Sequence, residues 1–133
     1  MDRPTEKYWS AGNSYTLRFP VPLSQNAKNA LVWRSSGNYT KRKNEAKDAA
    51  YWRAREQLNP PDPVPEHVHI HAHFRMHSLR DEDKLPASLE WILDGLKGHY
   101  FVDDGPKNLI LICSQEICRV KQRQGVTLTI TPA

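Results

Sequence analysis

Two stretches of this chain alternate apolar and polar residues, and two others repeat apolar residues every three or four positions. Tyr15, Leu17, Phe19 and Val21 alternate with Thr16, Arg18 and Pro20, which predicts a half-buried strand that Pro20 directs toward an edge or exit. Val68, Ile70, Ala72 and Phe74 alternate with His67, His69, His71 and His73 and run on to Met76 and His77. That pattern predicts a strand with one face in the core and the other in polar surroundings. Leu85, Leu89, Ile92, Leu93 and Leu96 fall at helical spacing, so a helix of about a dozen residues is expected from near Pro86, with Gly95 and Gly98 at its end. A second helix, weakly amphipathic, is expected from about Lys41 to Leu58 with Thr40 as its cap. Trp52 and Trp91 lie in these helical patterns and read as packing or dimer-contact residues.

The rest of the chain punctuates these elements. Pro22 to Tyr39 reads as a long loop, and the prolines of residues 59–65 form a stiff connector within one domain. Asp103-Asp104-Gly105 is a turn signal. Leu109 to Val120 and Val126 to Ile130 read as strands, and the segment Lys121 to Gly125 between them fits a hairpin. The order is β-α-β-α-β-β, an α+β fold with one mainly antiparallel or mixed four-stranded sheet and two helices. Residues 1–133 are read as a single domain in which residues 1–14 are a flexible N-terminus.

Composition narrows the class. With 133 residues, the chain suits one domain able to bury a sizeable core. It has no stretch of the ~20 apolar residues that span a bilayer, and its start lacks the apolar core of a signal peptide. Two cysteines, Cys113 and Cys118, are too few for a disulfide scaffold, so a reducing cytoplasm is the expected location and both read as filler on opposite faces of one strand. Charge is uneven. Residues 1–58 hold 11 Lys+Arg against 5 Asp+Glu, whereas residues 59–133 hold 8 against 10. The acid is densest in residues 80–107, where 7 Asp+Glu face 4 Lys+Arg.

Three groups of residues bear on chemistry. Asp81 and Asp83 stand two apart at a strand end, a hard-oxygen pair of the kind Mg²⁺ or Mn²⁺ takes. If the following helix returns the chain beside that strand end, Asp103 and Asp104 join them, and carboxylates so gathered require a cation. Lys28, Arg34, Lys41, Arg42, Lys43 and Lys47, with Trp33 and Tyr39 interleaved, offer phosphate pairing and base stacking and are the candidate DNA-binding residues. The histidine face permits adjacent pairs to share a transition metal. Four in a row at ~6.5–7 Å spacing do not converge on one ion, so a polar sheet face or dimer contact is the plainer reading.

The acidic run resembles the RusA family of Holliday junction resolvases. Asp81-Glu82-Asp83-Lys84-Leu85, an amphipathic helix ending in Leu93-Asp94-Gly95-Leu96, and Phe101-Val102-Asp103-Asp104 are similar to that family's D-x-D-N-L, helix, D-[AG]-L and hydrophobic-D-D pattern. Pro22, Ser24 and Asn26 are similar to its P-x-S-x-N entry, so the likeness covers most of residues 15–131, with its specific part at 81–104. The resemblance implies a homodimeric endonuclease that binds four-way DNA junctions and cuts them symmetrically with Mg²⁺, in recombination and repair, leaving 5′-phosphate and 3′-hydroxyl ends. It assigns Asp81, Asp83 and Asp104 as catalytic metal ligands and Asp103 as a helper. Two positions depart from the pattern. Lys84 stands where the family has Asn, and Ala87 stands where it tends to have a lysine near the scissile phosphate. Lys84 either takes over that charge or is a surface residue neutralising Asp83; Lys97 and Lys107 are more distant candidates. Two other readings follow, a RusA-like DNA-binding protein with weak or lost nuclease activity and a metal-binding protein built on the histidine strand.

Overall fold

A computed structural model of the chain describes residues 14–24, 27–28 and 36–133. The alternating segments form β1 (Tyr15–Phe19) and β2 (Val68–Met76), and the later apolar runs form β3 (Leu109–Ile117) and β4 (Gly125–Pro132). They make one mixed four-stranded sheet in the order β1-β4-β2-β3. β4 runs antiparallel to β1 and to β2, and β3 runs parallel to β2 with Val68 opposite Leu109 and Met76 opposite Ile117. The domain is therefore α+β, as the residue pattern predicts. Of the expected flexible N-terminus only Ser14 lies within the described residues, and its hydroxyl meets Thr131 Oγ1 at 2.7 Å.

The predicted β3–β4 hairpin is not formed. β2 lies between the two strands, and residues 118–124 pass over its end, where the Cys118 amide donates to the Met76 carbonyl. The reason lies in the side chains. Val126, Leu128 and Ile130 of β4 are all buried, which suits a strand flanked on both sides. β3 carries Gln115 and the exposed Glu116, and charge is tolerated on an outer strand. β3 also ends at Ile117, so Cys118 falls beyond it instead of on its opposite face. Both cysteines are free thiols.

Helix α1 spans Ser36–Gln57, starting four residues before the expected cap at Thr40. The dozen-residue helix expected from Pro86 is broken into a 3₁₀ turn (Glu82–Lys84), α2 (Leu85–Ser88) and α3 (Glu90–Leu96). Pro86 lacks an amide hydrogen, and the Ser88 hydroxyl donates to the Leu85 carbonyl at 2.7 Å, so the ladder tightens at Leu89 before resuming. Together α2 and α3 form the crossover between the parallel strands β2 and β3.

The core lies between one sheet face and these helices. Leu17, Phe19, Ile70, Phe74, Leu128 and Ile130 meet Ala50, Ala54, Leu85, Leu89 and Leu96, while Tyr100 and Phe101 seal the end of α3. Helices α1 and α3 cross closely at Gly95, where an added Cβ would run into the Lys47 carbonyl. The opposite sheet face carries His69, His71, Thr129 and the exposed Ile110 and Ile112, and no described helix covers it. Trp91 is buried as expected. Trp52 is not a packing residue within this chain, because it stands 61% exposed on the outer side of α1.

This one-sided layering sets a contrast in stability. Phe74→Ala should cost about 3–5 kcal/mol, whereas Ile112→Ser on the open face should stay within about 0.5 kcal/mol, as read by urea denaturation. Alkaline pH tests the same core. Burial pushes Cys113 up to about 11 and Tyr100, whose hydroxyl donates to the Leu58 carbonyl, up to about 12. Unfolded, these groups ionise near 9 and 10, so the unfolded chain loses their protons first. Stability should therefore fall as pH rises from about 9 to 12, and Tyr100→Phe should flatten the upper part of that decline in urea titrations.

Candidate nucleic-acid interface and acidic clusters

The loop leaving β2 is held at Arg80. Gln115 of β3 receives the Arg80 amide on Oε1 at 3.0 Å and donates Nε2 to the Arg80 carbonyl at 2.8 Å. Arg80 Nη2 donates to the Pro22 carbonyl at 2.7 Å. These bonds fix the backbone next to Asp81, a role for Arg80 and Gln115 that no motif in the sequence announces. Asp81 is extended and its side chain does not cap the 3₁₀ turn, so its carboxylate stays open to solvent. Lys84 lies 3.6 Å from Asp81 Oδ2; it neutralises Asp81 and not Asp83, and between exposed partners such a pair contributes little. Asp83 is exposed and enters no ion pair among the described residues.

Asp103 and Asp104 sit elsewhere. Asp103 Oδ1 accepts the Asp104 amide at 2.8 Å, and Lys97 Nζ lies 3.8 Å from Asp104 Oδ1. Burial holds the Asp104 carboxyl above the usual carboxylate range, with Lys97 pulling the other way. The convergence of the two acidic pairs expected from the sequence is not seen within the chain. Arg80 is tied to Gln115, whereas Gly105 takes the amide of Leu109, and β3 between those two residues is about 20 Å long. The parallel crossover delivers Asp81 and Asp83 to the carboxyl end of β2 but Asp103 and Asp104 to the amino end of β3. Oxygens this far apart cannot share an ion that binds its ligands at ~2.0–2.6 Å. Among the described residues no three His, Cys, Asp or Glu side chains are grouped to hold a metal.

The basic candidates divide. Lys41 and Arg42 are exposed near the start of α1, and Lys43 and Lys47 are half-buried along it. Arg34 and Trp33 lie outside the described residues. Lys28 does not belong to a DNA-facing surface. It is 2% exposed, and its ammonium donates to the carbonyls of Ala87 at 2.9 Å and Ser88 at 3.3 Å while lying 4.7 Å from the centre of the Trp91 ring. Desolvation lowers its pKa, opposed by Glu90 and Asp94. Lys28 thus satisfies carbonyls at the break between α2 and α3, helped by Ser24, whose hydroxyl accepts the Ala27 amide at 3.1 Å. Tyr39 packs edge-on against Trp91 at 5.6 Å, which makes it a partner of that buried ring. Among the described residues the exposed aromatic is Trp52; its half-buried neighbour Tyr51 packs at a tilt against His99 at 4.5 Å and is hydrogen-bonded by Arg55.

The histidine face holds a network rather than a row of independent ligands. Ser114 Oγ lies 2.7 Å from His71 Nε2 and 2.6 Å from His73 Nδ1, and His73 Nε2 lies 2.9 Å from Glu116 Oε1. Because the carboxylate only accepts, a neutral His73 carries its proton on Nε2, so Ser114 donates to Nδ1 and accepts from His71. The hydrogen bond from His73 lowers the Glu116 pKa. Ser114 and Glu116 gave no signal in the sequence, because parallel pairing with β2 brings them opposite His73 and Arg75.

No family model matches the sequence, and no curated protein matches it at a significant level.

The placement of Lys28 makes a prediction. Lys28→Ala should cost about 1–3 kcal/mol in urea denaturation at neutral pH, because two carbonyls lose their donor. The salt dependence of any DNA binding should not change, as an interior ammonium pairs with no phosphate.

Proposed function

We propose that the chain acts on branched DNA as a homodimeric, Mg²⁺-dependent endonuclease of the RusA type, working in the cytoplasm in recombination and repair. The observation that supports it is the motif order Asp81-x-Asp83, crossover helix, Asp94-Gly95-Leu96, Asp103-Asp104, flanked by the basic start of α1. No described helix is long and apolar enough to cross a membrane.

Asp81 and Asp83 fit the cation without their distant partners. Mg²⁺ commonly takes one or two carboxylates and fills its remaining positions with water and substrate phosphate. Both carboxylates are exposed, and of the two only Asp81 forms an ion pair among the described residues. Bound there, the ion would supply Lewis-acid activation of a phosphodiester and of water. The chain's own residues would do the rest. Arg80 and Gln115 hold the acidic turn in place, Lys84 places a cation beside Asp81, and Lys41, Arg42, Lys43 and Lys47 pair with phosphates. A second reading, junction binding without cleavage, is favoured by the separation of the two acidic pairs and by Ala87 in the lysine position.

A synthetic four-way junction tests both. Paired nicks should appear with Mg²⁺ and fall by at least about 100-fold in Asp83→Asn, whereas Asp104→Asn should retain most of the activity. Equal loss in both variants would mean that the four carboxylates act as one site, against the two-carboxylate assignment. Binding without nicks in the wild type supports the second reading. In a salt titration of junction binding, Arg42→Ala combined with Lys43→Ala should weaken affinity and make the slope shallower by about 2.

A further inference from the structure

A second concentration of positive charge lies apart from the start of α1, at the end of the sheet opposite Asp103 and Asp104. At the carboxyl end of β2 and the start of β4 a cavity of about 650 Å³ is lined by Arg18, Arg53, Arg75 and Arg123 together with Gln122 and Gln124. These residues come from β1, α1, β2 and the 118–124 connection, so only the folded chain brings them together. None of the described residues lining it is a carboxylate. Arg75 has one acidic neighbour, Glu116 at 3.3 Å, which His73 also engages. Arg18, Arg53 and Arg123 form no ion pair among the described residues.

The framework beneath these side chains is fixed while their guanidinium groups remain available. Gln57 clamps the main chain of Arg18, accepting its amide and donating to its carbonyl, each at 2.7 Å. Arg123 lies in a 3₁₀ turn (Lys121–Arg123), and Gln124 Nε2 donates to the Cys118 carbonyl at 3.0 Å, closing the loop that carries it. Gly125 has φ 153° and approaches the Phe19 carbonyl so closely that a side chain there would collide with it. Guanidinium groups gathered without acid repel one another, and their fork geometry suits paired hydrogen bonds to phosphate oxygens.

We propose that this arginine-lined cavity is a phosphate site and that it holds consecutive phosphates of a DNA strand. The strand, as opposed to a small phosphorylated molecule, is indicated by continuity. Phe19, Pro20 and Arg53 also line a second cavity of about 370 Å³, whose wall includes Arg42 on α1 and one carboxylate, Glu45. A cationic path therefore runs from Arg123 past Arg18 and Arg53 to Arg42, between β1 and α1, where a chain of phosphates can lie. The strand assignment rests on the DNA reading above; the phosphate site does not.

The test is the affinity of a labelled four-way junction across a salt series, comparing the wild type with Arg18→Gln/Arg123→Gln. Both side chains are exposed, so melting temperatures should match and confirm the fold. The double variant should bind at least about tenfold more weakly, with a slope shallower by about 2. Unchanged affinity and slope would overturn the strand assignment while leaving the DNA reading intact. If the wild type binds no DNA, calorimetry with inorganic pyrophosphate decides. Binding lost in the double variant supports the phosphate site and rejects only its occupation by DNA; no binding, or equal binding by both proteins, rejects the site.

Discussion

Parallel pairing of β2 with β3 is the constraint from which the placement of every functional group follows. Parallel neighbours need a crossover, and here the crossover is the α2–α3 segment, whose buried leucines press against the same sheet face as α1. Its direction separates the acidic pairs, because the chain leaves one end of the sheet at Asp81 and returns at the other by Asp104. The same pairing puts Ser114 and Glu116 opposite His73 and Arg75, and leaves β3 as an outer strand. β4 is displaced to the far side of β2, and its connection brings Arg123 over the strand ends beside Arg18 and Arg75.

Charge in this molecule follows from burial more than from count. Lys28 belongs to the basic half of the sequence but works as an internal donor to two carbonyls, with Trp91 beneath it. Lys84 and Lys97 each sit beside an aspartate and contribute little net field. Among the described residues, the arginines at the sheet end have no such partners apart from Arg75. The positive surface available to a polyanion is therefore centred on arginines of β1, α1, β2 and the β3–β4 connection as well as on the start of α1. Arginine suits that place because its planar fork meets two phosphate oxygens at once.

Much of the fold can be read from residue order. Period-two alternation at β1 and β2 and apolar runs at β3 and β4 are local signals, and each became a strand. The hairpin reading failed because Lys121 to Gly125 carries a local turn signal, whereas strand order depends on which faces can be buried together. Trp52 shows the same limit from the other side. Its position in a helical pattern suggested packing, yet the helix turns it away from the sheet. Asp81 and Asp83 stand out as an exposed hard-oxygen pair in sequence and structure alike, while their distance from Asp104 depends on the direction of the crossover.

The sequence by itself determined the α+β class, the strand and helix periods, the acidic motif and the excess of positive charge in residues 1–58. These rest on neighbours along the chain, where spacing alone decides which side chains share a face. Only the tertiary structure decided the β1-β4-β2-β3 order, the burial of Lys28, the separation of the two acidic pairs and the gathering of Arg18, Arg53, Arg75 and Arg123. Those features join residues tens of positions apart. Their proximity is set by the burial of one sheet face and by the pairing of backbone groups, and no local pattern records either.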